Sequence, residues 1–244
     1  MVDYLRIEQV SRRFGGLVAV NDVSFSQPAG QILGIIGPNG AGKSTLFNMI
    51  AGMIRPTTGR IWFEDRRIDG MPAERIARLG IVKTFQTSRP FGSMTFLENV
   101  ATAAFAGTND KRKAWRVAEQ KLGLAELADQ CDLPARGAST GQRKRLEIAR
   151  LLAVEPRMIL LDEPFGGVDI AAIEGLIALL RSIREAGVTI LVIEHNLGAV
   201  TRLADRLIAM NLGSIIAEGT PESVTHDPLV VRAYLGDDGA DDAA

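Results

Sequence analysis

Apolar residues fall along the chain in two rhythms. Leu5-Arg6-Ile7-Glu8-Gln9-Val10 alternates apolar and polar side chains, and Val18-Ala19-Val20 and Val23-Ser24-Phe25-Ser26 add strand-like segments before Pro28-Ala29-Gly30 turns the chain. An antiparallel sheet is therefore predicted to open the fold. Ile32-Leu33-Gly34-Ile35-Ile36, Met158-Ile159-Leu160-Leu161 and Val188-Thr189-Ile190-Leu191-Val192-Ile193 are almost continuously apolar, the pattern of parallel strands covered on both faces. Residues 59–64 and 81–86 predict two more strands. Residues 207–210 and 214–218 predict a hairpin around Asn211-Leu212-Gly213.

The second rhythm is helical. Residues 44–51 predict a helix with Gly52 beyond its end, and residues 72–79 a short surface helix with Pro72 in its first turn. From Thr95 to about Ala153 the pattern is helical throughout, opened by Thr95-Phe96-Leu97-Glu98, whose spacing is that of a capping box. Further on, Ile173, Leu176, Ile177, Leu180 and Ile183 recur at three- and four-residue spacing between Asp169, which can cap a helix, and Gly187, which can end one.

Between the strand at 32–36 and the helix after it stands Gly37-Pro38-Asn39-Gly40-Ala41-Gly42-Lys43-Ser44-Thr45, which satisfies G-x-x-x-x-G-K-[ST] at every defined position. Its glycines let the backbone curl with N–H groups inward, and the helix N-terminus adds positive potential, so the expected occupant is the polyphosphate of a nucleoside triphosphate. Lys43 is placed to reach the β and γ phosphates, and the Ser44 hydroxyl to bind Mg²⁺. The expected fold class is thus α/β, a P-loop NTPase core with a mixed or parallel sheet, an N-terminal antiparallel β subdomain and an inserted α-helical subdomain. Residues 1–90 and 154–235 are assigned to the core, 91–153 to the helical insertion, and the acidic 236–244 to a disordered tail.

Other candidate chemistry lies at element ends. The apolar run at 158–161 ends in Asp162-Glu163; an apolar strand offers charges no partners, and in a nucleotide site Asp162 would hold Mg²⁺ while Glu163 polarises the attacking water. The run at 188–193 ends likewise in Glu194-His195, which favours a catalytic role for His195 over that of a rim residue. Gln86, at the end of the predicted strand 81–86, is a candidate γ-phosphate sensor. Gly137-Ala138-Ser139-Thr140-Gly141-Gln142 feeds the helix predicted at 143–152, a second N-terminus able to meet phosphate. Phe14 sits beside the turn at Gly15-Gly16 and reads equally as a ring for stacking on a base or as a small-core residue. Lys111-Arg112-Lys113 reads as a solvated helix face.

Composition narrows the setting. The 244 residues are 46% hydrophobic, sufficient for one large core, and 28 basic against 29 acidic residues leave a net charge of -1, with no electrostatic pull toward nucleic acid. Cys131 is the single cysteine, which rules out an internal disulfide and any zinc cluster built on cysteines. No run approaches the roughly 18 apolar residues of a membrane span. A cytoplasmic protein is expected, meeting a membrane only through a partner.

Taken together, the loop at 37–45, Gln86, Ser139-Thr140-Gly141-Gln142, Leu160-Leu161-Asp162-Glu163, Gly166-Gly167-Val168-Asp169 and His195 resemble the ATP-binding subunit of ABC transporters over nearly the whole chain. Phe14-Gly15-Gly16-Leu17-Val18-Ala19-Val20, Lys83-Thr84-Phe85-Gln86 and Ala233-Tyr234-Leu235-Gly236 look specifically like the subfamily for branched-chain amino-acid uptake. The resemblance implies an ATPase working as a head-to-tail dimer with a second ATP-binding subunit, bound to permeases on the inner face of the cell membrane. It places Phe14 beside adenine, residues 37–45 on the phosphates, Ser44, Gln86 and Asp162 around Mg²⁺, Glu163 as base and His195 on the γ phosphate. Ser139, Gly141 and Gln142 would close on ATP held by the other subunit. The chain departs from the family's pattern at Ala138 and Thr140 in a usual Leu-Ser-Gly-Gly-Gln, and at Gly166-Gly167. A nucleotide-driven clamp in repair or translation is disfavoured by the single cassette without sustained heptads, and a P-loop kinase would not need the Ser139 loop or His195. A lipid-moving ABC system is a further alternative.

Overall fold

The computed structural model describes residues 3–84 and 90–235. The chain opens with β1 (Asp3–Phe14) and β2 (Leu17–Pro28), longer than the sequence rhythm marks because the pairing runs through four register shifts into the turn at Gly15-Gly16. Then come β3 (Ile32–Ile36), α1 (Lys43–Ile50), β4 (Thr58–Phe63), the two-residue β5 (Arg66–Arg67), α2 (Ala73–Arg78) and β6 (Ile81–Lys83). Pro72 is the N-cap of α2 rather than a residue of its first turn. Beyond the undescribed 85–89 lie α3 (Phe96–Ala104), α4 (Lys111–Leu124) and α5 (Thr140–Leu152), which pack on one another. The chain continues through β7 (Met158–Asp162), α6 (Ile170–Glu185), β8 (Thr189–Ile193), α7 (Leu197–Leu203), β9 (Arg206–Asn211), β10 (Ser214–Gly219), α8 (Pro221–Thr225) and α9 (Pro228–Leu235).

The strands form two sheets. One is antiparallel, in the order β2-β1-β4-β5. The other has the order β10-β9-β3-β8-β7-β6, parallel throughout except for β10. Every residue of β3, β7 and β8 is buried, and successive side chains enter opposite cores, as the two-residue period of a strand requires. Ile32, Ile36, Ile159, Leu161, Ile190 and Val192 face the core shared with the helices α3–α7. Leu33, Ile35, Leu160, Leu191 and Ile193 face α1 and the antiparallel sheet. Covering both faces leaves polar groups one outlet, the strand ends.

The hairpin β9–β10 and the C-terminal helix are built onto the same end. The Tyr234 hydroxyl on α9 accepts a hydrogen bond from the Gly37 N–H at 2.7 Å, so the last described helix touches the first residue of the glycine-rich loop. Burial raises the Tyr234 phenol above its ordinary range, opposed in part by that amide. Packing is tight at Gly34 in β3, where a Cβ would stand 2.4 Å from Leu207 Cδ2 and 2.8 Å from Val200 Cγ2.

Two outcomes are expected. Gly34→Ala should cost about 1–3 kcal/mol by overpacking, read as a lower urea midpoint at unchanged slope. Tyr234→Phe deletes one acceptor and leaves a partly buried N–H without its partner, a loss of about 1–3 kcal/mol; hydrogen exchange at the Gly37 amide should quicken.

Candidate nucleotide site

The loop at 37–42 is held by contacts that only glycine permits at two positions. Gly37 has φ 146 and a Cβ there would lie 2.1 Å from the Met210 carbonyl oxygen, while Gly42 has φ 98 and would meet the Ala19 oxygen at 2.3 Å. Neither point can give, because both are backbone. Ala41 donates to the Pro38 carbonyl at 3.2 Å and accepts from the Gly213 N–H at 3.1 Å, tying the loop to the β9–β10 turn.

The helix that follows is capped differently from its neighbours. The side chains of Thr95, Ser139, Asp169 and Asn196 cap α3, α5, α6 and α7, whereas α1 starts at left-handed Gly42 with no side-chain cap and no acid in its first turn. The first intrahelical bond, Leu46 N–H to the Gly42 carbonyl, comes after Lys43, Ser44 and Thr45, so these three amides face outward from a positive helix end. That is a donor set for an anion. Lys43 Nζ donates to the Gly37 and Pro38 carbonyls at 2.7 and 2.9 Å. Burial lowers the Lys43 pKa, and the Glu163 and Asp162 carboxylates push it back up.

A cleft of about 500 Å³ joins Asn39, Gly40, Ala41, Gly42, Lys43, Ser44 and Thr45 to Phe14 on one side and Glu163 on the other. Phe14 is exposed at its edge, with the Arg12 guanidinium 4.4 Å above its ring. Of the two readings of Phe14, the small-core one is excluded.

At the end of β7, Asp162 is buried and its N–H donates to Thr84 Oγ1 at 2.8 Å. Its Oδ2 lies 3.4 Å from Lys83 Nζ, which also donates to Asn48 Oδ1 on α1 at 2.8 Å. Asp162 Oδ1 is buried with no hydrogen-bond partner. A buried acceptor oxygen without a donor suits a hard divalent cation. No group of three or more His, Cys, Asp or Glu side chains gathers as a metal site among the described residues.

Glu163 follows in the left-handed region, φ 51, a conformation costing a non-glycine residue on the order of 1 kcal/mol or more. Its N–H donates to the Ile193 carbonyl at 3.0 Å, and its carbonyl accepts from Lys144 Nζ at 2.7 Å and the Gly166 N–H at 3.1 Å. These bonds hold the turn that aims the carboxylate at His195, whose Nδ1 is 3.7 Å from Glu163 Oε1. Glu163 thus lines the cleft of the Lys43 loop, the Asp162 carboxylate is near enough to act on Lys43, and His195 stands beside Glu163. Gln86 lies outside the described residues.

Ser139, Gly141 and Gln142 are not brought into this cleft. The α5 helix begins at Thr140, three residues before the predicted start, because Ser139 and Gln142 cap it reciprocally: Gln142 N–H to Ser139 Oγ at 3.2 Å and Ser139 N–H to Gln142 Oε1 at 2.7 Å. The departures from the family pattern meet here. Gly167 has φ 70, and a Cβ on it would lie 3.7 Å from the Thr140 methyl, so Gly167 answers a backbone requirement.

Sequence reasoning gave no site role to Lys83, Thr84, Lys144 or Tyr234, all of which bind site residues through the folded chain. Only Lys83 and Thr84 carried a local signal, as polar residues ending the strand before Gln86.

The profile of the family described as "ABC transporter" matches residues 20–166, and that described as "Branched-chain amino acid ATP-binding cassette transporter" matches 214–240. The high-affinity branched-chain amino acid transport ATP-binding protein BraF of Pseudomonas aeruginosa is 37% identical over 249 residues, covering 96% of this chain and 98% of BraF. LivG of Escherichia coli, of the same description, is 38% identical over 255 residues at the same coverage. Among solved structures, the ADP conformation of MJ1267, an ATP-binding cassette of an ABC transporter, superposes with TM-score 0.88 at 34% identity, covering 97% of this chain and all of that one. The dimeric post-hydrolysis state of the cassette MJ0796, bound to ADP and Pi, gives 0.79 at 25% identity, covering 89% and 98%. With that similarity running nearly end to end and Glu163 lining one cleft with the phosphate loop, the chain belongs to the ABC transporter family as an ATP-hydrolysing cassette.

Proposed function

We propose that this cassette powers import of branched-chain amino acids, docked on permeases at the inner face of the cell membrane and paired with a second ATP-binding subunit. The uncapped N-terminus of α1, sharing a cleft with Glu163 of the Glu163–His195 pair, is the observation that carries the hydrolytic reading. The names of BraF and LivG and the match at 214–240 support the substrate. Among the described residues no helix is long and apolar enough to cross a membrane, so transport calls for membrane subunits.

In this reading the loop amides and Lys43 bind the phosphates, and Phe14 stacks beside adenine. Ser44, Gln86 and Asp162 hold Mg²⁺, which when bound offsets negative charge on the phosphate oxygens. Glu163 accepts the proton of the attacking water and His195 orients toward the γ phosphate. Ser139, Gly141 and Gln142, absent from their own chain's cleft, complete the site of the other subunit, with the helical segment 91–153 carrying them. Exposed Phe91, under the Arg150 guanidinium at 5.4 Å, forms with Pro90 and Met94 the surface for a permease helix.

Glu163→Gln keeps the shape but not the base, and should lower steady-state hydrolysis about 10²–10⁴-fold with ATP affinity nearly unchanged. Lys43→Ala removes a charge-assisted contact of about 1.5–3 kcal/mol and should weaken ATP binding itself by roughly tenfold or more. Measured in proteoliposomes with the permeases, leucine uptake should disappear in both; uptake of a different solute class would overturn the substrate assignment.

Composite sites make a sharper forecast. In a mixed dimer of Lys43→Ala and Ser139→Arg chains, one site receives intact loops from both subunits and the other carries both lesions. ATP should therefore induce mixed dimers beyond those of either variant alone, scored by sedimentation without turnover. A site built within one chain predicts no gain.

A further inference from the structure

Glu194, directly after β8, is completely buried. Among the described residues the charges acting on it include no lysine or arginine, only the neighbouring His195. Its ligands are instead three backbone donors from two loops. Oε1 accepts from the Phe165 N–H at 2.8 Å, and Oε2 from the His195 and Asn196 N–H groups at 3.1 Å each. Phe165 stands two residues beyond Glu163 on the turn that leaves β7, whereas His195 and Asn196 lead into α7, which Asn196 caps.

The backbone of both loops is already rooted in the sheet, through Glu163 N–H to the Ile193 carbonyl and Glu194 N–H to that of Ile35 at 3.2 Å. The Glu194 carboxylate then joins their tips. We infer that Glu194 is a positioning residue for ATP hydrolysis: its ionised carboxylate locks the Glu163 turn to the His195 loop and so sets the approach of those two side chains. The inference rests on Glu163 and His195 acting at the γ phosphate.

The chemistry demands this residue type. An ionised carboxylate presents two oxygens that only accept, whereas an amide or a protonated acid turns a donor toward an N–H whichever way it is flipped. Three amides offset the cost of burying the charge. Burial nonetheless pushes the Glu194 pKa up, and the amides pull it back. Aspartate keeps both acceptors on a shorter arm, so it could reach one loop but not both.

The test is Glu194→Gln in the full chain, alone and combined with His195→Ala. The measured quantities are kcat, KM, ATP affinity without turnover and thermal unfolding. The lock predicts a kcat loss of about tenfold or more, with KM and ATP affinity held within about threefold, because the Lys43 loop is not touched. In the His195→Ala background, the same substitution should cost less than about threefold, since the pair it positions is already broken. If Glu194→Gln does not fold, Glu194→Asp takes its place with the same expectations. Retained kcat, an equal loss in both backgrounds, or KM and affinity worsening in step with kcat would each overturn the lock. Near-normal turnover in Glu163→Gln would instead remove the reading of Glu163 on which it rests, a result separable from these.

Discussion

Burial of β3, β7 and β8 on both faces is the constraint from which the rest of the site follows. A central parallel strand can carry no charge along its length without a large desolvation cost, so functional groups collect where the strands stop. The glycine-rich loop leaves β3, Asp162 ends β7 with Glu163 next, and Glu194 and His195 follow β8, in adjacent strands of one sheet. Their lateral spacing is thus fixed by backbone hydrogen bonding before any side chain is chosen. This is the general tendency of open α/β sheets to bind ligands beyond the carboxyl ends of their strands.

Electrostatics at that edge is arranged around ligands rather than around the protein's own pairs. Lys43 is desolvated and coordinated by carbonyl oxygens, though two carboxylates stand near enough to raise its pKa. Asp162 spends one oxygen on Lys83 and keeps the other buried without a donor. Lys83 in turn is held by Asn48 on α1, so the helix carrying the phosphate loop and the strand carrying the acid share one ammonium group. A buried group left unpaired in this way costs free energy in the folded state, which a divalent cation bound together with polyphosphate would recover.

How much of this was legible in the sequence depended on the distance between partners. The 37–45 loop, the Thr95–Glu98 capping box and the cap at Asp169 were readable because each is a local pattern closed within a few residues. The strand order was suggested by apolar runs, but nothing local marked how far β1 and β2 would extend; the Ser139–Gln142 capping box, by contrast, is as local as Thr95–Glu98 and marks a start of α5 at Thr140. Phe14 stayed undecided because exposure is a tertiary property. Tyr234 could be noticed only as a sequence resemblance, since its partner Gly37 is 197 positions away.

The same logic separates Ser139 from the residues it resembles functionally. Its side chain and that of Gln142 are spent on capping their own helix, so what α5 presents outward is a preformed N-terminus next to the Gly167 turn, not a set of free side chains. A helix end of that kind gains by meeting an anion, and its own chain's phosphate loop does not provide one, because Ser139 lies outside the cleft that Lys43 lines. Two copies, or a copy and a paralogue, arranged so that each α5 end faces the other's loop would satisfy both helix termini with one triphosphate apiece. In that arrangement nucleotide binding and subunit closure become a single event, and hydrolysis, by removing the γ phosphate, withdraws the group that joins the two helix ends.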